Sequence, residues 1–475
     1  MEEPAYVIVG GGIAGVSCAE SLSFYSPGEK CLLITASPLI KAATNVTALT
    51  KTLTEFEVEE RDVHTLIETY PSISVIEDIV VDVDAQSHRV HTKQGRTVEY
   101  KKLCICSGGY PKLIDKNNPY VIGIRDTESV EQFEKRVKNS RRILVVGNGG
   151  IATEIVHEIK GLEKIWVVRD NHISAPFIDP GAAAFFQEEI NKKGENNQEK
   201  SVVKRMKYTL SKMKLTDERG AALGPDWHLN FNISGSQLEN SKVTVEYNCE
   251  IKQILTADEY HLKYNSEESD WPVFAELTNG IIYGCDFIVS ATGVIPNTSF
   301  VKDLKDIDFA SDGGLKVDWK METSVPDIFA AGDVCTASWP HAFHWFQMRL
   351  WTQARQMGSY AGKCMAASIT NEEIMQDFCF ELFSHVTKFF GYKVILLGLF
   401  NGQKLNSDYE LLVRVTKGNE YIKLVIKDGK VHGAVLIGET DLEEMCENLI
   451  LNQLDVSVYG EDLLNPDIDI EDYFD

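Results

Sequence analysis

Several features that would set this 475-residue sequence apart from ordinary globular proteins are missing. Basic residues are scarce, with 47 Lys and Arg against 71 Asp and Glu and a net charge of −24, so we expect no direct binding to nucleic acid. No apolar run approaches the roughly 20 residues that span a bilayer. The start, MEEPAYVIVGGG, leads straight into a strand pattern. We therefore expect no signal peptide, no membrane segment and an intracellular, soluble protein.

The ten cysteines lack the spacings that carry cysteine chemistry, because none forms a C-x-x-C pair or a zinc-ligand pattern. Most lie inside apolar strand or helix patterns, as Cys104 and Cys106 do in KLCICSGG. Such cysteines are typical of buried, reduced thiols that pack as small hydrophobic groups. With 44% hydrophobic residues, the chain is long enough for two or three domains with cores of their own.

A glycine-rich turn opens the chain. In AYVIVGGGIAGVSCAESL, Gly10, Gly12 and Gly15 form G-x-G-x-x-G between an apolar strand and a helical pattern, with Ala14 in the same turn. The first glycine allows a tight turn, the second lets backbone amides approach a pyrophosphate, and the third lets helix and strand pack closely. The motif predicts a dinucleotide at the positive end of the helix that follows.

A second copy follows in RRILVVGNGGIATEIVHEI, where Gly147, Gly149 and Ala152 again separate an apolar strand from a helical pattern. Alanine at the third position still permits close packing of helix and strand. A chance glycine turn explains one such motif more easily than two. The sequence therefore predicts two dinucleotide-binding units.

Three further stretches complete the pattern. The segments YKKLCICSGGYP and CDFIVSATGVIPN are apolar strands that end at Gly108 and Gly293, with Pro beyond, as expected where a chain crosses between cofactor domains. The segment TSVPDIFAAGDVC then places Asp333 at the mouth of a strand, before a helical run. A carboxylate there can accept hydrogen bonds from hydroxyl groups.

These elements, in this order, resemble the pyridine nucleotide-disulphide oxidoreductase superfamily over roughly residues 5–365. The resemblance implies an α/β fold with two Rossmann-like domains, FAD on the first and NADPH or NADH on the second. It also implies that Asp333 binds the ribityl chain of FAD. Short alternating strands from about residue 375, with KDGK as a hairpin turn, resemble the C-terminal α+β domain of some members.

The domain organisation follows from the same resemblance. The FAD domain is predicted as segments 1–125 and 282–370, with the NAD(P)H domain, 126–281, between them, and a C-terminal domain at 375–475. An insertion at about 191–242 is basic and is either a solvated segment or a partner-binding one. The acidic tail is either disordered or a docking peptide.

The departures from the family are informative. No cysteine lies in SPLIKAATNVTALTK, where many relatives keep the thiol that takes electrons from flavin, and His385 lacks the proline and glutamate of H-P-x-x-x-x-E, which favours a packed or surface histidine. The resemblance instead places Lys51 beside flavin N5, paired with Glu154, and Lys41 near the FAD phosphates. The alternative is that both lysines are solvated. A lysine by N5 would stabilise negative charge on reduced flavin.

The remaining candidates lie at strand ends and in an aromatic run. Thr35 stands where an acidic residue usually takes the ribose hydroxyls of FAD. Arg169, at the corresponding place in the second unit, suits a 2′-phosphate, whereas the adjacent Asp170 suits a free hydroxyl, so we expect NADPH with NADH also accepted. Arg169 on a solvated surface is the alternative. Trp345 belongs to an aromatic set that either stacks on flavin or packs in a core.

The sequence thus predicts an FAD-dependent NAD(P)H oxidoreductase, a disulphide-reductase relative without catalytic cysteines, that passes electrons directly to oxygen or another acceptor. The alternative is a binding module in which a long-lived complex of nucleotide and flavin controls a partner. The resemblance further implies redox protection of a tRNA ligase, with the protein in nucleus and cytoplasm.

Overall fold

The computed structural model describes residues 4–191, 227–230, 233–236, 242–265, 270–406 and 408–465. Most of the predicted insertion at 191–242 and the end of the predicted acidic tail lie outside the described residues. Among the described helices, none combines the length and apolar character that a bilayer crossing requires.

The first 111 residues alternate short strands with two helices. Their elements are β1 (Tyr6–Val9), α1 (Ile13–Tyr25), β2 (Cys31–Thr35), β3 (Leu39–Ala48), β4 (Thr54–Asp62), α2 (Val63–Thr69), β5 (Ile73–Glu77), β6 (Val80–Asp84), β7 (Arg89–Thr92), β8 (Thr97–Glu99), β9 (Lys102–Ile105) and β10 (Gly109–Pro111). Strand β1 and strand β2, apart from its last residue Thr35, are apolar runs, and both are buried along their length, as strands covered on both faces require.

The next segment repeats the strand and helix alternation. Its elements are β11 (Val121–Ile122), α3 (Thr127–Val137), β12 (Arg142–Val146), α4 (Gly150–Glu158), β13 (Glu163–Val167), α5 (Pro180–Asn191), β14 (Val243–Glu246), β15 (Ile251–Thr256), α6 (Ala257–Tyr264), β16 (Val273–Leu277), β17 (Ile282–Cys285) and β18 (Phe287–Ser290). Helix α3 begins at a capping box, in which Asp126 accepts from the Ser129 amide and Ser129 accepts from the Asp126 amide.

The last described segment ends in an antiparallel domain. Its elements are β19 (Val294–Pro296), β20 (Leu315–Val317), β21 (Ile328–Ala330), β22 (Cys335–Ala337), α7 (Trp351–Thr370), β23 (Ser384–Phe389), β24 (Tyr392–Gly398), β25 (Glu410–Thr416), β26 (Glu420–Lys427), β27 (Lys430–Ile437) and α8 (Glu443–Asn452). The predicted KDGK hairpin is confirmed, since Asp428 and Gly429 take positive φ of 51° and 70° between β26 and β27.

Two five-stranded parallel sheets confirm the predicted Rossmann-like pair. The first has the order β21-β9-β1-β2-β5 and the second β11-β18-β12-β13-β14. In each sheet, the strand before the glycine turn, β1 or β12, lies in the middle. Ligands of such sheets bind outside the carboxyl ends of the strands, where the strand order reverses. Both glycine turns occupy such a position.

The positions at which the chain crosses between these two domains differ from the predicted domain boundaries. Strand β11 pairs with β18 in the second sheet, and β17 pairs with β16 in a separate three-stranded sheet, so 121–122 and 282–290 group with the second parallel domain rather than with the first. The crossings lie after β10 and before β19, which pair with each other as an antiparallel ribbon. Strand pairing sets the boundary, and motif positions alone did not reveal it.

The C-terminal domain packs against the second parallel domain. Its antiparallel sheet has the order β23-β24-β27-β26-β25, with α8 against one face. Phe186 of α5 shares one buried cluster with Phe383 and Phe390. A buried ion pair also joins the two domains, because Lys423 is 1% exposed and its Nζ lies 2.6 Å from Asp179 Oδ2. Breaking one member of such a pair leaves an uncompensated buried charge, so this junction holds the domains together.

Candidate functional site

One cavity of about 800 Å³ reaches both glycine turns. Nine of the residues predicted from the sequence line it: Gly10, Gly12, Ala14, Thr35, Gly108, Gly149, Glu154, Gly293 and Asp333. The other predicted residues do not: Gly15, Lys41, Lys51, Gly147, Arg169 and Trp345. The volume lies within the range of small-molecule and cofactor sites.

The first glycine turn leaves room for a ligand only at its centre. Gly10 has φ 117°, and a Cβ there would lie 2.3 Å from the carbonyl oxygen of Cys106. A Cβ on Gly15 would lie 1.9 Å from the carbonyl oxygen of Gly10. By contrast, nothing lies within 4 Å of a Cβ built on Gly12. Since α1 begins at Ile13 with no side-chain cap and no acid in its first turn, its amides face an open cradle that suits a phosphate.

The second turn repeats this geometry. Gly147 has φ 131°, and a Cβ there would lie 2.1 Å from the carbonyl oxygen of Ala291, whereas the space around Gly149 is open. Ala152 is fully buried against the core, as its place in the motif predicts. Helix α4 begins at Gly150, again without a side-chain cap or an acid in the first turn. The cavity therefore offers two separate phosphate cradles.

Asp333 lies in a short 3₁₀ turn, Gly332–Val334, between β21 and β22. Burial raises the pKa of its carboxyl, and the guanidinium groups of Arg125 and Arg349 act in the opposite direction. Arg125 is 8% exposed and lines the cavity beside Gly108, whose Cβ would lie 2.5 Å from Arg125 Nη2. A carboxylate and a guanidinium in one wall provide acceptors and donors for a polar chain.

Asp78 was not predicted, yet it lines the cavity beside Thr35. It follows β5, the neighbour of β2, and its amide donates to the Thr35 carbonyl at 2.8 Å. Its Oδ1 accepts from the amides of Ile79 and Gln94, at 2.8 and 3.3 Å, but its buried Oδ2 has no hydrogen-bond partner in the described part of the chain. A buried carboxylate oxygen is costly without a donor, so this atom fits a hydroxyl of a bound ligand.

Glu154 and Trp227 face the cavity from the second domain. Trp227 Nε1 donates a hydrogen bond to Glu154 Oε2 at 2.6 Å, and both residues line the wall. Trp227 lies in the stretch GPDWH, inside the predicted insertion, and nothing in the sequence indicated that its indole would reach a residue of α4. The tryptophan holds the carboxylate in place at the mouth of the second cradle.

The Lys51 side chain was predicted to pair with Glu154, and the structure shows what holds the Lys51 loop. Lys51 is exposed and outside the cavity lining, whereas Glu154 is inside it. The loop is held by Glu447 of α8, whose carboxylate accepts from the Lys51 amide at 2.9 Å, the Thr52 amide at 3.1 Å and the hydroxyl groups of Thr50 and Thr52. Glu447 is 1% exposed, so the C-terminal domain fixes this loop.

The other predicted residues outside the lining have structural surroundings. Lys41 is 3% exposed, pairs with Glu60 and donates to Thr127 Oγ1 at 3.2 Å. Arg169 is exposed at the surface. Trp345 packs in the first core, with its ring centroid 5.6 Å from that of Trp339. Of the two readings of the aromatic run, the structure thus places Trp345 in a core.

The cysteines occur without disulfides, and nine of the ten are buried. Cys106 lines the cavity, with its Sγ 3.5 Å from that of Cys104. The hydrogen bond with Cys104 and burial raise the pKa of the Cys106 thiol well above its usual value. In the described part of the chain, no group of three or more His, Cys, Asp or Glu could hold a metal ion.

Sequence comparison matches both parts of this architecture. The family profile of pyridine nucleotide-disulphide oxidoreductases matches residues 4–224 and 232–358, and that of the rubredoxin NAD+ reductase C-terminal domain matches 384–454. Pyridine nucleotide-disulfide oxidoreductase domain-containing protein 1 of Homo sapiens is 52% identical over 491 residues, which cover 99% of this chain and 98% of that protein.

Solved structures show the same fold. Reduced CoADR-RHD of Bacillus anthracis aligns with a TM-score of 0.67 at 19% identity, covering 99% of this chain and 76% of that one. A ferredoxin reductase from Rhodopseudomonas palustris aligns with a TM-score of 0.64 at 19% identity, covering 91% of each chain. At such identities the likeness concerns the fold alone.

Proposed function

The chain belongs to the pyridine nucleotide-disulphide oxidoreductase family, and on that premise we propose that it is an FAD-dependent NAD(P)H oxidoreductase that works without a cysteine relay. One observation carries the proposal: a single cavity contains both phosphate cradles, one from each Rossmann-like domain. Two dinucleotides held in one cavity have their reactive rings in reach of each other, which is the positioning that hydride transfer needs.

The lining residues fit FAD at the first cradle. The open space at Gly12 and the free amides of α1 would hold the pyrophosphate, and Asp333 would accept from hydroxyl groups of the ribityl chain. Asp78 would accept from a ribose hydroxyl, the role that Thr35 leaves without a carboxylate. Gly149 and the start of α4 would hold the pyrophosphate of NADPH or NADH.

Bound FAD would supply the hydride-accepting ring. The protein would have to orient that ring, shield it from solvent and stabilise the negative charge that develops on it. Helix α7 begins at Trp351 in the cavity wall with no side-chain cap and no acid in its first turn, and its positive end favours negative charge nearby. Phe177 and Phe389 line the wall from the other two domains and contribute apolar surface there. Glu154, held by Trp227, presents an acceptor at the second cradle.

The condition of the thiols supports direct electron transfer from flavin to an acceptor. The thiolate is the reactive form of cysteine, and burial raises the pKa of Cys335 and Cys285 as well as that of Cys106. Among the described residues, Cys106 is the one cysteine that lines the cavity, and its raised pKa disfavours the thiolate that a relay would use. We propose oxygen, a quinone or a partner protein as the acceptor classes.

Visible spectroscopy of the purified protein tests this proposal. We expect bound flavin that bleaches when NADPH or NADH is added without air and recovers when air is admitted. Gly149→Ala is expected to slow the bleaching at fixed nucleotide concentration, because its Cβ would enter the second cradle. Gly28→Ala, at a surface turn with nothing within 4 Å, is the matched control. Protein without bound flavin, or flavin that neither nucleotide reduces, contradicts the proposal.

A second function is favoured by the same buried thiols. Without a relay, reduced flavin and oxidised nucleotide would persist as a complex, and residues of all three domains line the cavity that holds them. We propose that such a complex changes the affinity for a partner protein. A long-wavelength absorption band that air removes slowly would support this sensing function, and prompt reoxidation would exclude it.

Family resemblance alone supplies a partner and a location for the proposal. A tRNA ligase in the nucleus and cytoplasm would be protected from oxidation by the reduced protein. Purified ligase should keep its activity in air only when both this protein and NAD(P)H are present. Equal protection by NAD(P)H without the protein would remove this assignment.

A further inference from the structure

The C-terminal domain contributes one face of a strand to the cavity. Along β23, alternate side chains point to the same side of the sheet. His385, Thr387 and Phe389 share that side and all line the cavity. Of these, His385 is the one with an ionisable ring, and it is only 1% exposed.

The hydrogen bond of Nδ1 indicates how the imidazole ring of His385 is held. His385 Nδ1 lies 2.9 Å from Oγ1 of Thr352, the second residue of α7. A hydroxyl has one hydrogen to give, and the contact with Nδ1 is the hydrogen bond seen for this hydroxyl among the described residues. We assign the Thr352 hydroxyl as the donor to Nδ1, which leaves the proton of the neutral ring on Nε2.

The surroundings keep this ring neutral. Burial lowers the pKa of His385 to about 3. The start of α7, where Thr352 lies, also disfavours a positive charge because the helix dipole is positive there. Nε2 has no hydrogen-bond partner in the described part of the chain, although the residue belongs to the cavity wall. An N–H group at this position can donate to an acceptor that binds in the cavity.

We propose that His385 donates a hydrogen bond from Nε2 to a carbonyl oxygen of a heteroaromatic ring bound in the cavity, as a catalytic residue supplied by the C-terminal domain. The inference rests on the proposed function and assigns it a residue outside both glycine motifs. A neutral N–H donor stabilises the negative charge that develops on a ring carbonyl during reduction, and it does so without a proton transfer. The flavin ring and the nicotinamide carboxamide both carry such a carbonyl.

Two substitutions separate the hydrogen bond from packing. His385→Leu fills the space without a donor, whereas His385→Gln keeps an N–H near the position of Nε2. His432→Leu is the control, because His432 belongs to the same domain and pairs through Nδ1 with His344 Nε2 at 2.9 Å, outside the cavity lining. The flavin midpoint potential without nucleotide and the dissociation constant of NADPH are measured for each purified protein.

The two measurements identify the acceptor. If the flavin carbonyl accepts, His385→Leu lowers the midpoint potential by about 30 mV, a tenfold change for a two-electron couple, and His385→Gln restores most of it. If the carboxamide accepts, the potential stays constant and the NADPH dissociation constant rises about tenfold in the leucine variant. The control should change neither quantity. Thr352→Val should give a smaller shift of the same kind, since it frees the ring to change tautomer.

The proposal is overturned if His385→Leu retains both values, or if His432→Leu changes them equally. Those results leave the proposed function intact, provided that wild-type protein binds FAD and is reduced by NADPH or NADH. Wild-type protein without bound flavin overturns the proposed function and this inference together.

Discussion

At the first glycine turn a Cβ on Gly10 would lie 2.3 Å from the backbone oxygen of Cys106, and at the second a Cβ on Gly147 would lie 2.1 Å from that of Ala291. The two turns thus have the same backbone geometry and the same close contact. The corresponding strand ends differ, because Thr35 is buried in the cavity wall beside Asp78, whereas Arg169 is exposed. In the proposed function, backbone geometry holds the phosphates at both turns, whereas the side chains assigned to ribose recognition differ between them.

The largest expected effect comes from filling the tight position of a turn. Gly147→Ala forces a Cβ against backbone at φ 131°, and we expect a loss of about 3 kcal/mol of stability from strain and overpacking together. Urea unfolding measures it, with Gly28→Ala as the control. If the turns are equivalent, Gly10→Ala loses a similar amount, and a tolerated alanine at either position breaks the comparison.

The open position of each turn should affect binding without affecting folding. Gly12→Ala is expected to weaken FAD about tenfold and Gly149→Ala to weaken NADPH by a similar factor, because each Cβ enters space that a pyrophosphate requires. Fluorescence titration of each ligand and a thermal unfolding curve give the two readouts. If Gly149→Ala also weakened the binding of FAD, the two cradles would not be separate sites.

FAD affinity should depend on the carboxylate at the strand end of the first domain and not on the one in the second domain. Asp78→Asn is expected to weaken FAD about fivefold, since it removes the charged acceptor that we assign to a ribose hydroxyl. Asp170→Asn, whose carboxylate accepts from Asn148 Nδ2 at 2.8 Å in the second domain, should leave FAD affinity unchanged. Equal FAD affinity in both variants would remove Asp78 from the ribose site.

The smallest effect is expected at Arg169. Its side chain is exposed, so its attraction for a 2′-phosphate is screened by solvent and salt. Arg169→Ala should reduce the preference for NADPH over NADH about threefold at low salt and less at high salt. The ratio of flavin reduction rates with the two nucleotides checks this. An unchanged ratio at low salt removes the arginine from nucleotide selection.

The sequence was most informative where backbone geometry decides the structure. The glycine spacings predicted two dinucleotide-binding turns, because a residue without a Cβ has few other reasons to recur at that spacing, and the family resemblance added the two Rossmann-like sheets and Asp333. Asp78 carried no signal, since its approach to Thr35 results from the pairing of β2 with β5. The chain between those strands contains a hairpin and a helix, which local patterns do not place in three dimensions.

Side chains were harder to assign than turns. Lys51 was predicted beside Glu154 from a likeness of motif, but its loop is bound by Glu447, about 396 positions away in the chain. His385 was expected to be a packed or surface residue, and it is indeed buried, yet its strand also faces the cavity. Such contacts arise from the docking of the C-terminal domain, which no local spacing encodes.

The grip of Glu447 on residues 50–52 also has a consequence for biosynthesis. During translation, the loop leaves the ribosome long before its acceptor, which is made 395 to 397 residues later. The amides of Lys51 and Thr52 therefore stay with water until α8 has emerged. A polypeptide that stops short of α8 cannot make these bonds. The loop between β3 and β4, which is made early, therefore reaches its final hydrogen bonding only after α8 has been synthesised.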